Sequence, residues 1–357
     1  MSRTRARDLG ITIGSLEPGP LNAITDVPGV RVGHETLVEG GDVRTGVTVV
    51  VPHEGSPWEE PVFAGAHRLN GNGELTGLEW VRESGLLTSP VGLTNTHSVG
   101  VVRDALVAAE VEAQTQPNEA WVLPVVGETW DGVLNDIDGM HVRAEHARTA
   151  LASAEAGPVA EGNVGGGTGM ICHEFKGGIG TSSRVVHEAG TCVVGVLVQA
   201  NYGRRARLRI DGVPVGEEIP ETEVPTPTGP FSTKPGGSII VVVATDAPLL
   251  PHQCERLAQR AGLGVGRMGG VGEDSSGDLF LAFATGNRGL AGDEPLALRM
   301  LPNHRMTPLF DAVVEATEEA IANALCAAET MEGKGGAVVH ALPLERTAEV
   351  VARFGRR

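Results

Sequence analysis

Residues 234–250 read "KPGGSIIVVVATDAPLL". A proline and two glycines break the chain, one serine follows, and then comes a run of β-branched residues. Seven apolar or β-branched residues over 239–245, bounded by Gly-Gly and by Asp246, read as a short strand buried on both faces, because they do not alternate with polar residues. A helical pattern over 251–261 follows, with Gly262 placed to terminate it. Ser238 thus stands at the mouth of a core strand. It is either a turn residue or a nucleophile placed where a strand end presents it.

The rest of the chain repeats this grammar. "GVTVVVP" from Gly46, "AWVLPVV" from Ala120, "TCVVGVLVQA" from Thr191, "LFLAFAT" from Leu279 and, more weakly, "GAVVHAL" from Gly336 read as buried strands. Helical patterns fall over 101–113, over 140–156 and after Thr307, where Thr307 and Pro308 make a start signal and Gly333 a stop. Strands and helices interleave, so the class is α/β or layered α+β. With 50 glycines and 22 prolines, a helix bundle is excluded.

The net charge of −17 argues against nucleic acid and anionic membranes as partners. Cys172, Cys192, Cys254 and Cys326 lie far apart and read as buried free thiols rather than a disulfide framework. The first twenty residues carry positive charge but no apolar core of a leader, and no stretch reaches membrane-spanning length, so a soluble cytoplasmic protein is expected. One segment, 216–237, is rich in Pro, Thr and Glu. It reads as a solvated, mobile linker that ends at Ser238.

Several motifs fail on inspection. "GLGVGRMGG" holds a formal G-x-G-x-x-G at Gly264, Gly266 and Gly269, but a helix precedes it and none follows, so these read as loop glycines. "EGKGG" lacks the Ser or Thr of a phosphate loop. The histidines show no metal-ligand spacing; His141 and His146 are five apart. No G-x-S-x-G marks an α/β-hydrolase serine. "GNVGGGTGM" from Gly162 has two equal readings: converging N–H groups that hold an anion, or a tight turn pressed against another backbone.

A serine without a neighbouring base needs another activator. If the Gly237–Ser238 bond were cut, Ser238 would carry a free α-amine with an unperturbed pKa of about 7.7–8.0, able to serve as the hydroxyl's own base. The glycines ahead of it tolerate the dihedrals that expose a carbonyl to the adjacent hydroxyl.

"GGSIIVVVATDAPLLPHQCERLAQRA" resembles the nucleophile region of the L-aminopeptidase/D-esterase family, which includes β-peptidyl aminopeptidases. "GNVGGGTGMICHEFKGGIGTSSR", "VQANYGRR", "ETWDGVLNDIDGMHV", "SSGDLFLAFATGN" and "LNAITDVPGVRVGH" are similar to the same family. The resemblance spans nearly the whole chain. It implies an αββα sandwich like that of N-terminal nucleophile hydrolases with different connectivity. It also implies one catalytic domain cut into 1–237 and 238–357, a homo-oligomer such as a tetramer of these pairs, and no cofactor or metal. By the same resemblance Ser238 is the nucleophile and Asn201 an oxyanion donor. Ser276 and Asp278 orient the new amine, and Glu128 receives the substrate's amino group. Trp130 stands where the family often has tyrosine; an indole donates a hydrogen bond but cannot act as a phenolic acid. The implied activity is release of N-terminal residues from peptides, amides or esters. The rivals are an acyltransferase resembling ornithine acetyltransferase, which uses threonine, and a non-catalytic anion-binding protein.

Overall fold

The strand read at Ser238 lies inside the larger of two sheets in the computed structural model, which describes residues 3–114, 121–188, 190–227 and 237–354. In chain order the strands are β1 (Arg31–Glu39), β2 (Val43–Val51), β3 (Val62–Gly71), β4 (Leu86–Leu87), β5 (Val91–Asn95), β6 (Val125–Thr129), β7 (Ile171–Cys172), β8 (Phe175–Lys176), β9 (Gly178–Val186), β10 (Cys192–Asn201), β11 (Ser238–Thr245), β12 (Gly277–Ala284), β13 (Met331–Gly333) and β14 (Ala337–Val339). The helices are α1 (Leu78–Ser84), α2 (Val99–Ala113), α3 (Ala144–Ala152), α4 (Val215–Glu218), α5 (Pro251–Arg267), α6 (Thr307–Ala327) and α7 (Leu344–Phe354).

One sheet has the order β1-β2-β5-β6 and the other β4-β3-β12-β11-β10-β9. Three apolar layers hold them. Val102, Leu106 and Ala147 of α2 and α3 pack on Val47 and Val49 of the first sheet. Val50, Leu93 and Val125 meet Leu197, Ile240, Val242 and Leu281 between the sheets. Val196, Ile239, Val241 and Phe280 pack under Leu257, Leu309, Val313 and Ile321 of α5 and α6. The layers are therefore αββα, as the resemblance implied. All eight residues of β11 are buried, which is why its run carries no alternation.

The period of two along the strands fixes where the polar residues at their ends point. In β11, Ile240 and Val242 face the other sheet and Ile239 and Val241 face the helices. Ser238 falls in step with Ile240, and so faces the space between the sheets. In β10, Leu197 faces that space, and Asn201 falls in step with it. The register pairs Asn201 with Ser238 directly.

Some expectations need correction. Gly262 does not end a helix: α5 runs on through Gly262, Gly264 and Gly266 to Arg267. A side chain at Gly264 would stand 2.6 Å from Thr317 Cβ, so glycine lets α5 and α6 approach closely, and that packing overrides weak helix propensity. α6 stops at Ala327, not Gly333, and among the described residues 337–339 pairs only with β13, in a small hairpin. The "AWVLPVV" strand begins later, at Val125, and extends to Thr129. The expected linker over 216–237 is not solvated throughout: α4 covers its start, Gly216 and Ile219 are buried, and Arg205 donates to the Val224 carbonyl. Residues 228–236 of that segment lie outside the described residues.

Candidate active site

Ser238 opens β11 and is buried, with its Oγ accepting a 3.1 Å hydrogen bond from Gly277 N, the first residue of β12. β11 and β12 run parallel and pair Ser238 with Gly277 and Ile239 with Asp278. The polar turn "SSGD" is thereby delivered beside the serine. Ser276 Oγ donates to Asp278 Oδ1 at 2.6 Å. Burial pushes the Asp278 carboxyl up to about 6, against the bonds from Ser276 and the Ile239 amide that pull it down. Gly237 is in tight contact with β10: a Cβ there would lie 2.2 Å from Asn201 O and 2.6 Å from Tyr202 Cα. Any larger residue before the serine would push the junction off its strand.

Asn201 ends β10. Its Oδ1 accepts from Ile171 N at 2.8 Å and its Nδ2 donates to the Trp130 carbonyl at 3.0 Å. The first bond fixes which end of the amide is the oxygen, and so turns the N–H₂ end toward β6, with one N–H committed to Trp130 and a second available as a donor. Glu128 lies on β6, in the other sheet, with both oxygens engaged: Oε1 accepts from Glu74 N at 3.0 Å, and Oε2 accepts from the Thr96 hydroxyl. Burial raises its pKa, offset by those two bonds. Gly73 links it to the serine: a Cβ on Gly73 would stand 3.0 Å from Gly277 Cα and 3.1 Å from Glu128 Oε1. Trp130 follows β6, is 36% exposed, and lays its indole against Gly132, where a Cβ would meet Cζ2 at 2.4 Å.

The sequence-predicted set therefore converges from both sheets. Partners that sequence reasoning missed are backbone groups and one hydroxyl: the amides of Gly277, Ile171 and Glu74, and Thr96. Backbone donors carry no residue-type signal, and Thr96 is one threonine among many. Of the two readings of the glycine loop, the structure selects the second. Gly165–Gly167 is one buried turn, and its N–H groups go to Thr36 Oγ1, Thr48 Oγ1 and Val164 O. A Cβ on Gly166 or Gly167 would collide with Gln199 or Gly178. Those amides are committed and do not converge on an anion. Among the described residues, no group of three His, Cys, Asp or Glu is placed to hold a metal, and no helix is long and apolar enough to cross a membrane.

The carboxyl of Asp278 makes a pH prediction for the uncut chain. It is ionised above about pH 6 and neutral below. If the chain cleaves before Ser238, as the resemblance implies, and this carboxylate accepts protons in that step, the rate of self-cleavage in fresh precursor should fall about tenfold per unit below that pH. In Asp278→Asn the rate should be low throughout and that limb absent. A limb that persists in the variant assigns it to another group.

An αββα sandwich with a serine heading an interior strand, an amide donor beside it and a buried carboxylate across from it defines a serine hydrolase of N-terminal nucleophile architecture. Comparison with known proteins agrees. The sequence profile of Peptidase family S58 matches residues 22–339. The β-peptidyl aminopeptidase BapA of Sphingosinicella microcystinivorans is 48% identical over 371 aligned positions, covering 99% of this chain and 93% of that protein. The solved β-aminopeptidase of a Burkholderia species superposes with a TM-score of 0.93 at 57% identity, covering 99% and 100% of the two chains. The L-aminopeptidase D-Ala-esterase/amidase of Ochrobactrum anthropi, a serine aminopeptidase with a variant Ntn hydrolase fold, does so with a TM-score of 0.90 at 43% identity, covering 99% of each. The chain belongs to peptidase family S58 and is a hydrolase, a serine aminopeptidase.

Proposed function

We propose that the chain cuts itself between Gly237 and Ser238 and then uses Ser238 to release N-terminal residues from short peptides, amides or esters. In the first reaction Ser238 Oγ attacks the Gly237 carbonyl, the peptide becomes an ester, and water hydrolyses it. The products are a carboxylate at Gly237 and a free amine at Ser238, with chains 1–237 and 238–357 packed as one domain. In turnover that amine takes the hydroxyl proton as Oγ attacks the substrate carbonyl, and passes it to the departing amine. Asn201 holds the oxyanion, Ser276 and Asp278 orient the Ser238 amine, and water frees the acyl-enzyme. Trp130 shapes the mouth of the site. The observation that carries this reading is the pairing of Asn201 with Ser238 on adjacent strands, both facing Glu128's sheet.

Glu128 receives the substrate's ammonium. Its own bonds leave lone pairs free, and a cation beside it reverses the upward push of burial. The higher identity to β-aminopeptidases favours N-terminal β-amino residues. The four cysteines are free and buried, which suits a reducing cytoplasm, and the resemblance to the family supports a homo-oligomer such as a tetramer of cut pairs. An acyltransferase of the ornithine type is not favoured, since the nucleophile here is serine and the relatives are peptidases.

Kinetics on paired substrates tests the site. A charged hydrogen bond contributes about 1.5–3 kcal/mol, or roughly ten- to a hundred-fold in kcat/KM. Glu128→Gln should lose about that factor on free-amine substrates, while cleavage before Ser238 continues. N-acetylated substrates should be poor with either enzyme. Equal kcat/KM for free and acetylated substrates in the unmutated enzyme would sink the aminopeptidase assignment. A β-homoamino amide should outrun its α-amino counterpart; the reverse order removes the β preference.

A further inference from the structure

Lys176 is the cation that the catalytic scheme leaves without work. It ends β8, is fully buried, and donates from Nζ to three backbone carbonyls: Met170 O at 2.8 Å, Gly177 O at 2.8 Å and Gly167 O at 3.2 Å. An ammonium has three N–H bonds, and all three are used. Among the described residues, the titratable group that acts on it is the Cys172 thiol rather than a carboxylate. Burial lowers its pKa to about 7, while three acceptors each need an N–H that the neutral amine supplies only twice. Burying a cation with no counter-ion is costly, and an apolar chain of similar length would pack there at less cost.

What the charge reaches explains the cost. The Met170 carbonyl on Lys176 Nζ and the Ile171 N–H on Asn201 Oδ1 belong to one peptide group, and both bonds are 2.8 Å. There is no cis peptide among the described residues, so this carbonyl and N–H point in opposite directions. An unbroken line therefore runs from the ammonium through the Met170–Ile171 peptide to the Asn201 amide. A cation on the carbonyl polarises the peptide and strengthens its N–H as a donor. That N–H polarises the asparagine oxygen, and the Nδ2–H at the far end becomes a stronger donor in turn. The loop is also tied independently of the lysine: Gly177 N donates to Met170 O, His173 N to Tyr202 O, and Thr129 Oγ1 to Met170 Sδ at 2.8 Å. Holding the loop alone does not account for a charge.

We propose that Lys176 is a positioning residue that acts through Asn201, delivering its positive charge by way of the Met170–Ile171 peptide to the amide that holds the oxyanion. This rests on the reading of Asn201 given above. The charge does not touch substrate, so it should act on the transition state and leave ground-state binding, which runs through Glu128, unchanged.

A double-mutant cycle tests it, with kcat counted per cut chain by intact mass and folding checked by thermal melting. Lys176→Gln keeps two donors for the carbonyls and removes the charge; Lys176→Met removes both. In the Asn201-intact enzyme we expect kcat to fall about tenfold for Lys176→Gln, and at least as far for Lys176→Met, with KM within about twofold. In the Asn201→Ala background the same Lys176→Gln change should cost less than about twofold, because the group it acts through is gone. Equal losses in the two backgrounds would overturn the proposal, as would unchanged kcat in Lys176→Gln, or a glutamine variant that fails to fold or stays uncut. If Asn201→Ala alone leaves kcat unchanged, it is the oxyanion reading of Asn201 that falls. A Lys176→Gln loss that persists there would show the lysine acting by some other route.

Discussion

Ser238→Ala should give a folded, uncut chain of full mass with no measurable aminopeptidase activity. On the proposed scheme the hydroxyl is needed twice, to attack the Gly237 carbonyl and to attack substrate. Removing a serine nucleophile in a hydrolase costs on the order of 10⁶ in kcat, and on the proposed scheme the base disappears with it, since an uncut chain has no α-amine at residue 238. The fold should survive. The methyl group keeps the packing at the start of β11, and the polar loss is one hydrogen bond from Gly277 N, about 1 kcal/mol net. That is small beside the 5–15 kcal/mol by which domains of ordinary size are stable. Intact mass under denaturing conditions and a turnover assay read both outcomes. Two fragments from the alanine variant would show that the cut does not depend on this hydroxyl.

Asn201→Ala should lower kcat by about 10²–10³ with KM little changed, the usual loss when one oxyanion donor is removed. Two partners are also left behind, the Ile171 N–H and the Trp130 carbonyl, so some stability is lost, about 1–3 kcal/mol for each buried group left unpaired. Asn201→Asp separates the two effects. It keeps an oxygen for Ile171 N–H and the same shape, but replaces the donor with a second acceptor facing the developing negative charge. Its melting temperature should lie above that of the alanine variant while its kcat is no higher. A kcat within about threefold of the parent in both variants would remove Asn201 from the chemistry.

Strand existence was legible where burial on both faces left a continuous apolar run, as in β10, β11 and β12. It was not legible in β9, "GIGTSSRVV", whose polar residues are buried because other segments meet them. Ser183 Oγ bonds Asp26, and Arg184 bonds Glu315 and Glu319 of α6. The same pairing hid the true extent of burial on α6. Read alone it showed one apolar face, yet Glu319 is fully buried, with Arg7 and Asn22 also on its carboxylate. Only the tertiary structure brings these charges together, and each of them is tolerated in the core because its partner arrives with it.

The candidate site divides along the same line. Ser238 after Gly-Gly, Asn201 at the end of a strand, the Ser276–Asp278 turn and Glu128 stand in the sequence as residue types, and a family resemblance is enough to pick them out. By itself the sequence determined a class of interleaved strands and helices, α/β or layered α+β, the serine at a strand mouth and the absence of an α/β-hydrolase elbow, because these follow from local pattern. It did not determine that the glycine loop is a packed turn, or that Thr96 and the Glu74 amide hold Glu128. Nor did it single out Lys176, whose burial shows only when three carbonyls close around it. Those features depend on backbone groups from segments far apart in the chain, brought within hydrogen-bond distance by the packing of two sheets and their helices. A backbone N–H or C=O is the same at every residue, so only the fold can say which of them meet.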